Sequence, residues 1–282
     1  MSDWGKGVIN DIGWGQGANN DIGWGSIYDK SNAGETLLSG GGNTDAFIIE
    51  VKTDELGISN NDQFQFTGGQ GDYDVVAKQG GVIVQTFSDL SDEATITFAN
   101  GAGTYILEVN AKEVSPFTGM RFNNAGDKLK ITKNLQWGVF NDTRQRLFFG
   151  CGNLTEIASD IQWINTFTDG SLMFTNCNLT SLPSEMTLAN LTDGRLMFRD
   201  CNLTSLPSEM TLANLTNGDQ MFENNTINTA RYSTLLVDIE NFNSNLNVTF
   251  DGGNSKYNTD GETARNLLIA NQNWTFTDAG PA

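Results

Sequence analysis

The sequence predicts a mainly β protein: an extended N-terminal anchor, an antiparallel β-sandwich, then a short repeat solenoid with a C-terminal cap. Three observations carry this. Short runs of β-forming residues recur about every ten residues between glycine and asparagine turns. A 24-residue block recurs almost unchanged later in the chain. The first 42 residues, by contrast, hold 11 glycines and carry tryptophans ten residues apart, each flanked by glycine.

The anchor is assigned to residues 1–45. Its first part repeats itself as Trp4-Gly5-Lys6-Gly7, Asn10-Asp11-Ile12-Gly13-Trp14-Gly15 and Asn20-Asp21-Ile22-Gly23-Trp24-Gly25. Glycine loses more backbone freedom on ordering than any other residue, and tryptophan offers a large apolar area per side chain. Such a segment folds poorly alone but can lie along a partner's groove. The expected docking residues are Trp4, Gly5, Gly7, Ile12, Trp14, Gly15, Ile22, Trp24 and Gly25.

The sandwich is assigned to 46–120, with strands at 47–51, 63–66, 73–76, 82–84, 94–98 and 104–109. Runs rich in Val, Ile, Phe, Tyr and Thr, bounded by Gly-Gly, Asn-Gly and Gly-Asp, are the pattern of short antiparallel strands.

The third segment is 121–282. Residues 172–195 recur at 196–219 with 20 of 24 positions identical, and weaker copies start near Leu147-Phe148 and Met221-Phe222. Apolar positions at Leu172, Phe174, Cys177, Leu179 and Leu182 fit the leucine-rich-repeat scheme. Leu172 and Phe174 should then point inward from a short parallel strand, with Cys177 and Cys201 facing carbonyls of the next coil. Met173, Thr175 and Asn176 should form an exposed ladder with Met197, Arg199 and Asp200. The expected ligand surface is Thr175, Asn176, Arg195, Arg199 and Asp200. Residues 259–270 show N-capping and helical spacing, and with the β-like Trp274-Thr275-Phe276 they should cap the last coil.

Composition narrows the function. Sixteen Lys+Arg against 34 Asp+Glu give a formal charge of −18, which opposes binding to nucleic acid or an anionic membrane. No run of 18 apolar residues exists to span a bilayer, and no basic-then-apolar signal peptide is visible at the start. Histidine is absent, which removes the commonest general base and metal ligand. The three cysteines, spaced 26 and 24 residues apart without a close pair, read as buried thiols rather than a zinc site. No catalytic constellation emerges, so no enzyme is expected. The run from Asp251-Gly252-Gly253-Asn254 to Asp260-Gly261-Glu262 has calcium-loop chemistry but not the twelve-residue EF-hand pattern, so no cofactor is expected and calcium is the weaker alternative.

Two resemblances follow. Met173-Phe174-Thr175-Asn176-Cys177-Asn178-Leu179 and Met197-Phe198-Arg199-Asp200-Cys201-Asn202-Leu203 resemble the core of BspA-like leucine-rich-repeat surface proteins, in which a polycystic-kidney-disease (immunoglobulin-like) sandwich precedes the repeats. Gly103-Thr104-Tyr105, the run from Arg121 to Lys128, and Gln136-Trp137-Gly138 resemble the connecting region of that family. The Asn-Asp-Ile-Gly-Trp-Gly repeats are similar to leader peptides of virion structural proteins from phages of Bacteroidetes-type hosts. Together these imply a virion accessory protein, such as a capsid decoration or a head or tail fibre, made in the host cytoplasm. It would dock on other virion proteins and display its repeats toward a host-surface glycan or protein. The alternatives are a bacterial cell-surface adhesin and a particle-stabilising protein without a host ligand.

Overall fold

Residues 43–282 are described by the structure, a computed structural model; the docking residues expected in the anchor lie outside them. All six expected strands are present. In β1 (Phe47–Lys52) the side chains of Phe47, Ile49 and Val51 are buried and the alternate ones partly exposed, the period-two pattern of a strand with one face on a core. β2 is Gln63–Gln65, β3 Asp72–Gln79, β4 Val82–Ser91, β5 Thr95–Thr97 and β6 Thr104–Ala111.

A seventh strand, β7 (Ile131–Gln136), was not expected, and it carries the sheet past position 120. The five-stranded sheet runs β4-β3-β6-β1-β7, every pair antiparallel, while β2 and β5 form a separate two-stranded ladder. Aromatic contacts join ladder and sheet: Phe66 lies 5.0 Å from Tyr73, and Phe98 stacks on Tyr105 at 4.0 Å between centroids. The free edge strand β4 is interrupted by two register shifts against β3 and by Asp89 at φ 57°, which Lys112 holds at 2.6 Å. Such bulges and charges keep an edge from pairing with another chain.

β7 also belongs to the repeats. The Thr155 N–H donates to the Thr132 carbonyl at 2.9 Å, and the Asn134 N–H to the Glu156 carbonyl at 2.9 Å. One strand thus serves as sheet edge and as part of the first coil, so Thr44–Ala282 forms one compact unit.

From Phe122 onward the chain advances in coils that lie side by side. Phe148, Phe174, Phe198 and Phe222 make a continuous buried column, with rings 5.8, 5.7 and 5.6 Å apart and within 9° of parallel. Phe250 and Phe276 extend it with edge-on rings at 6.1 and 5.9 Å. Gly170 and Gly194 lie close against methionines of the next coil: a Cβ on Gly170 would stand 2.8 Å from the Met197 sulfur and one on Gly194 2.9 Å from that of Met221, so the flexible thioether would have to move aside.

The C-terminal end holds two helices. The expected one, α2 (Thr259–Gln272), is N-capped by Asn258, whose side chain accepts the N–H groups of Asp260 and Gly261. α1 (Thr229–Phe242) was not foreseen; Asn228 caps it by accepting from Arg231, and Tyr232, Leu235, Leu236 and Ile239 bury its inner face. Short strands β8 (Thr249–Asp251) and β9 (Thr275–Thr277) pair in parallel, as successive coils require. Arg265 closes the last coil: its guanidinium lies 5.0 Å over the Phe276 ring and 5.5 Å over that of Tyr257, and its Nε donates to Asp278 at 3.0 Å. The described chain is mainly β, with an antiparallel sheet and few helices.

Candidate ligand-recognition face of the repeats

The two nearly identical coils differ at four positions: Asp193/Asn217, Arg195/Asp219, Thr175/Arg199 and Asn176/Asp200. Residues 177–192 and 201–216, which build the rest of each coil, are identical. All four differences therefore fall in one turn segment, which begins Asp169-Gly170, Asp193-Gly194 or Asn217-Gly218 and ends two residues past the column phenylalanine.

Coil-to-coil hydrogen bonds place these segments in register. N–H groups of Gly170, Leu172, Phe174 and Asn176 donate to the carbonyls of Asp193, Arg195, Met197 and Arg199 at 2.9–3.0 Å. Gly194, Leu196, Phe198 and Asp200 repeat the pattern on Asn217, Asp219, Met221 and Glu223 at 2.8–3.0 Å. At each start the Asx side chain folds back: Asp193 Oδ1 accepts the Arg195 N–H at 3.0 Å, and Asn217 Oδ1 that of Asp219 at 3.1 Å.

These segments are turns rather than the expected strand, because two residues in each adopt left-handed backbone angles. Leu172, Leu196 and Gln220 have φ of 58°, 61° and 54°, and Asn176, Asp200 and Asn224 of 58°, 53° and 62°. Asparagine and aspartate tolerate that region; leucine does so at a cost of about 1 kcal/mol or more. The reversal breaks two-residue alternation, so the adjacent Met173 and Phe174 are both buried while Leu172 is half exposed. Met173 and Met197 thus belong to the core, not to an outer ladder. Thr175 is likewise buried at 3% exposure, its hydroxyl donating to the Leu196 carbonyl, and is removed from the ligand surface.

The other candidates remain accessible. Asn176 and Arg195 are exposed, and Arg199 and Asp200 are half exposed. Arg199 is committed internally, its Nε 3.2 Å from Asp200 and 3.0 Å from Glu223 of the next coil. Arg195 makes no ion pair within 4 Å among the described residues. Nearby, burial would raise the Asp169 pKa, but hydrogen bonds from Ser171 and Gln145 and the charge of Arg195 more than offset it, holding the carboxyl below its ordinary value. The preceding coil adds Gln145 and the exposed Arg146, which sequence reasoning passed over. Aligning Arg146-Leu147-Phe148 with Leu172-Met173-Phe174 was the available signal.

The cysteines line the inside of the same turns. Cys177 Sγ donates to the Phe148 carbonyl at 3.3 Å and Cys201 Sγ to that of Phe174 at 3.2 Å, the preceding coil in each case and not the next. Asn225 takes this role one coil later, its Nδ2 donating to the Phe198 carbonyl at 2.7 Å. All three cysteines are free and buried, and burial pushes their thiols up, that of Cys201 to about 12 from 9.0. Folding thus favours the neutral thiol. Its contribution is complete below pH 9.0 and is lost as pH rises from 9.0 toward about 12. A thiol reagent at pH 8 will label none of the three within minutes in the folded chain and all three in denaturant; rapid labelling of the folded chain would contradict this placement.

A cavity of about 620 Å³ lies on the flank between Leu135 of β7, Ile157, Leu182 and Pro183. Its Asp160 already accepts the N–H groups of Trp137 and Gly138. Among the described residues no three His, Cys, Asp or Glu side chains are grouped to hold a metal, and no helix is long and apolar enough to cross a membrane. In the segment weighed for calcium, Asp251 accepts the Gly253 N–H at 2.7 Å, and Asp260 and Glu262 sit in the first turn of α2. Comparison with family models, curated proteins and solved structures finds no match to this chain.

Proposed function

We propose that the chain is a non-enzymatic accessory structural protein of a phage virion. In this reading the Trp/Gly repeats of residues 1–30 hold it on the capsid or tail. The β-region, read as an immunoglobulin-like sandwich, is a spacer, and the coils, read as a short leucine-rich-repeat solenoid, present a recognition face outward.

The carrying observation is where the duplicated coils differ. Drift would scatter changes over every exposed position, yet the exposed pairs Asn178/Asn202, Thr180/Thr204, Glu185/Glu209 and Asn190/Asn214 are unchanged. The differences concentrate on one turn segment, three of the four at positions open to solvent in both coils, and at Arg195/Asp219 charge is inverted there. That pattern supports recognition over simple duplication. For the docking half, regularly spaced indoles flanked by glycine suit buried anchors in a partner's groove.

Deleting residues 1–30 will abolish incorporation into particles while leaving a folded remainder with unchanged circular dichroism. Normal incorporation of the truncated chain would refute the docking role. The BspA-like repeat core favours a second reading, a bacterial surface adhesin, and a gene lying in an isolated chromosomal surface locus would select it. Particles lacking residues 140–282 will adsorb to cells more slowly; fragile particles with unchanged adsorption would mean a stabilising role only.

A further inference from the structure

Charge is unevenly distributed along the chain. Residues 121–199 hold eight Lys+Arg against seven Asp+Glu, whereas 1–120 holds five against 17 and 200–282 three against ten in a chain of −18. Three of these cations lie on neighbouring turns of the first coils. Arg121 Nε donates to the Gln145 carbonyl at 2.8 Å, which sets its guanidinium beside Arg146. The Asn123 N–H donates to the Arg146 carbonyl at 3.1 Å, and the Leu172 N–H to the Arg195 carbonyl at 3.0 Å. The order across neighbouring coils is thus Arg121, then Gln145 and Arg146, then Ser171 and Leu172, then Arg195. With coils spaced like strands, Arg146 and Arg195 stand roughly 10 Å apart along the stack.

None of Arg121, Arg146 and Arg195 has a carboxylate within 4 Å among the described residues, although the chain offers two acids for every base. Acids on the same turns are engaged with their own surroundings: Asp169 accepts the N–H of Ser171 and the amide of Gln145, and Asp193 the N–H of Arg195. Asp142 is held by Arg144 at 2.5 Å. Beside the cations lie the exposed amides of Gln145 and Asn123, which suit hydroxyl groups. One coil further on, Asp219 and Glu223 end the cationic stretch.

We infer that these turns bind an anionic saccharide chain, its sulfate or carboxylate groups on Arg121, Arg146 and Arg195 and its hydroxyls on the adjacent amides. Guanidinium forks take such oxyanions in bidentate fashion. A saccharide is favoured over nucleic acid because the cationic stretch is only three coils long and the rest of the molecule repels a polyanion that extends past it. This deepens, and rests on, the recognition-face reading above.

The test is a titration of the full chain with size-defined dextran sulfate, with oligogalacturonate and with neutral dextran, at two salt concentrations. Binding to at least one acidic oligosaccharide is expected, weakening as salt rises, with no binding to dextran. The double variant Arg146→Gln/Arg195→Gln should lose at least tenfold in affinity, while Lys52→Gln/Lys256→Gln, which removes as much charge elsewhere, should not. No binding to either acidic oligomer, an equal loss in both double variants, or tighter binding to a DNA oligonucleotide of equal charge would overturn the inference. Slower adsorption of particles lacking residues 140–282 together with any of those results would preserve the recognition face and reject the ligand class.

Discussion

Replacing Lys130 by methionine will lower the free energy of unfolding by about 3–5 kcal/mol, one of the two largest effects expected of a single substitution in this chain. Lys130 and Asp127 are both fully buried. The Lys130 ammonium donates to the carbonyls of Ser59, Asn60 and Gln63 at 3.1, 2.8 and 3.0 Å and to the Ser59 hydroxyl at 2.7 Å. Asp127 accepts the N–H groups of Ile58, Ser59 and Gln65 at 2.9, 3.1 and 2.7 Å. The two charges are 3.9 Å apart, so they communicate mainly through the 58–65 loop that both grip. Methionine fills most of the volume but strands three carbonyls out of water and leaves the buried Asp127 carboxylate, still held by its N–H donors, without a counter-charge, and an uncompensated buried charge is what makes breaking such a pair expensive. Urea denaturation followed by tryptophan fluorescence checks the value; a loss below 1 kcal/mol would mean that water reaches the site.

Phe198→Ala will cost a similar amount, about 3–5 kcal/mol, through lost burial and the cavity left behind. Phe198 sits mid-column, fully buried, with parallel rings 5.7 Å away on one side and 5.6 Å on the other. Coils in a stack are stabilised chiefly by their nearest neighbours, so a void there weakens two interfaces together. Phe276 ends the same column and is partly exposed, with Arg265 over it. Phe276→Ala should therefore cost well under half as much in the same assay. Equal losses at both positions would show that the column does not couple neighbouring coils.

The unequal legibility of these features has physical causes. Strands such as 47–51 and 104–109 were readable because alternation and β-branched content report burial on one face directly. β7 was not: Ile131-Thr132-Lys133-Asn134-Leu135-Gln136 lacks strict alternation, since it faces the sheet on one edge and the first coils on the other. α1 follows a decayed repeat copy whose period hides it, although Asn228 and the spacing of Leu235 and Ile239 mark a capped helix with one buried face. On the candidate face, Arg195, Arg199 and Asp200 were legible from the two near-identical copies, Arg146 only through the weaker match of Arg146-Leu147-Phe148 to Leu172-Met173-Phe174, and Arg121 has no matching copy.

The sequence by itself determined the coil period, the aromatic column, the small residue at the cysteine position and the acidic balance, because each depends on residue type at fixed spacing. Only the tertiary structure decided which side chains of the turn reach solvent. That outcome hangs on leucines 172 and 196 taking left-handed backbone angles, which no local preference of leucine favours and which the coil-to-coil hydrogen bonds of Leu172 with Arg195 and Leu196 with Asp219 stabilise. The same bonds bury Thr175 and leave Arg195 outside.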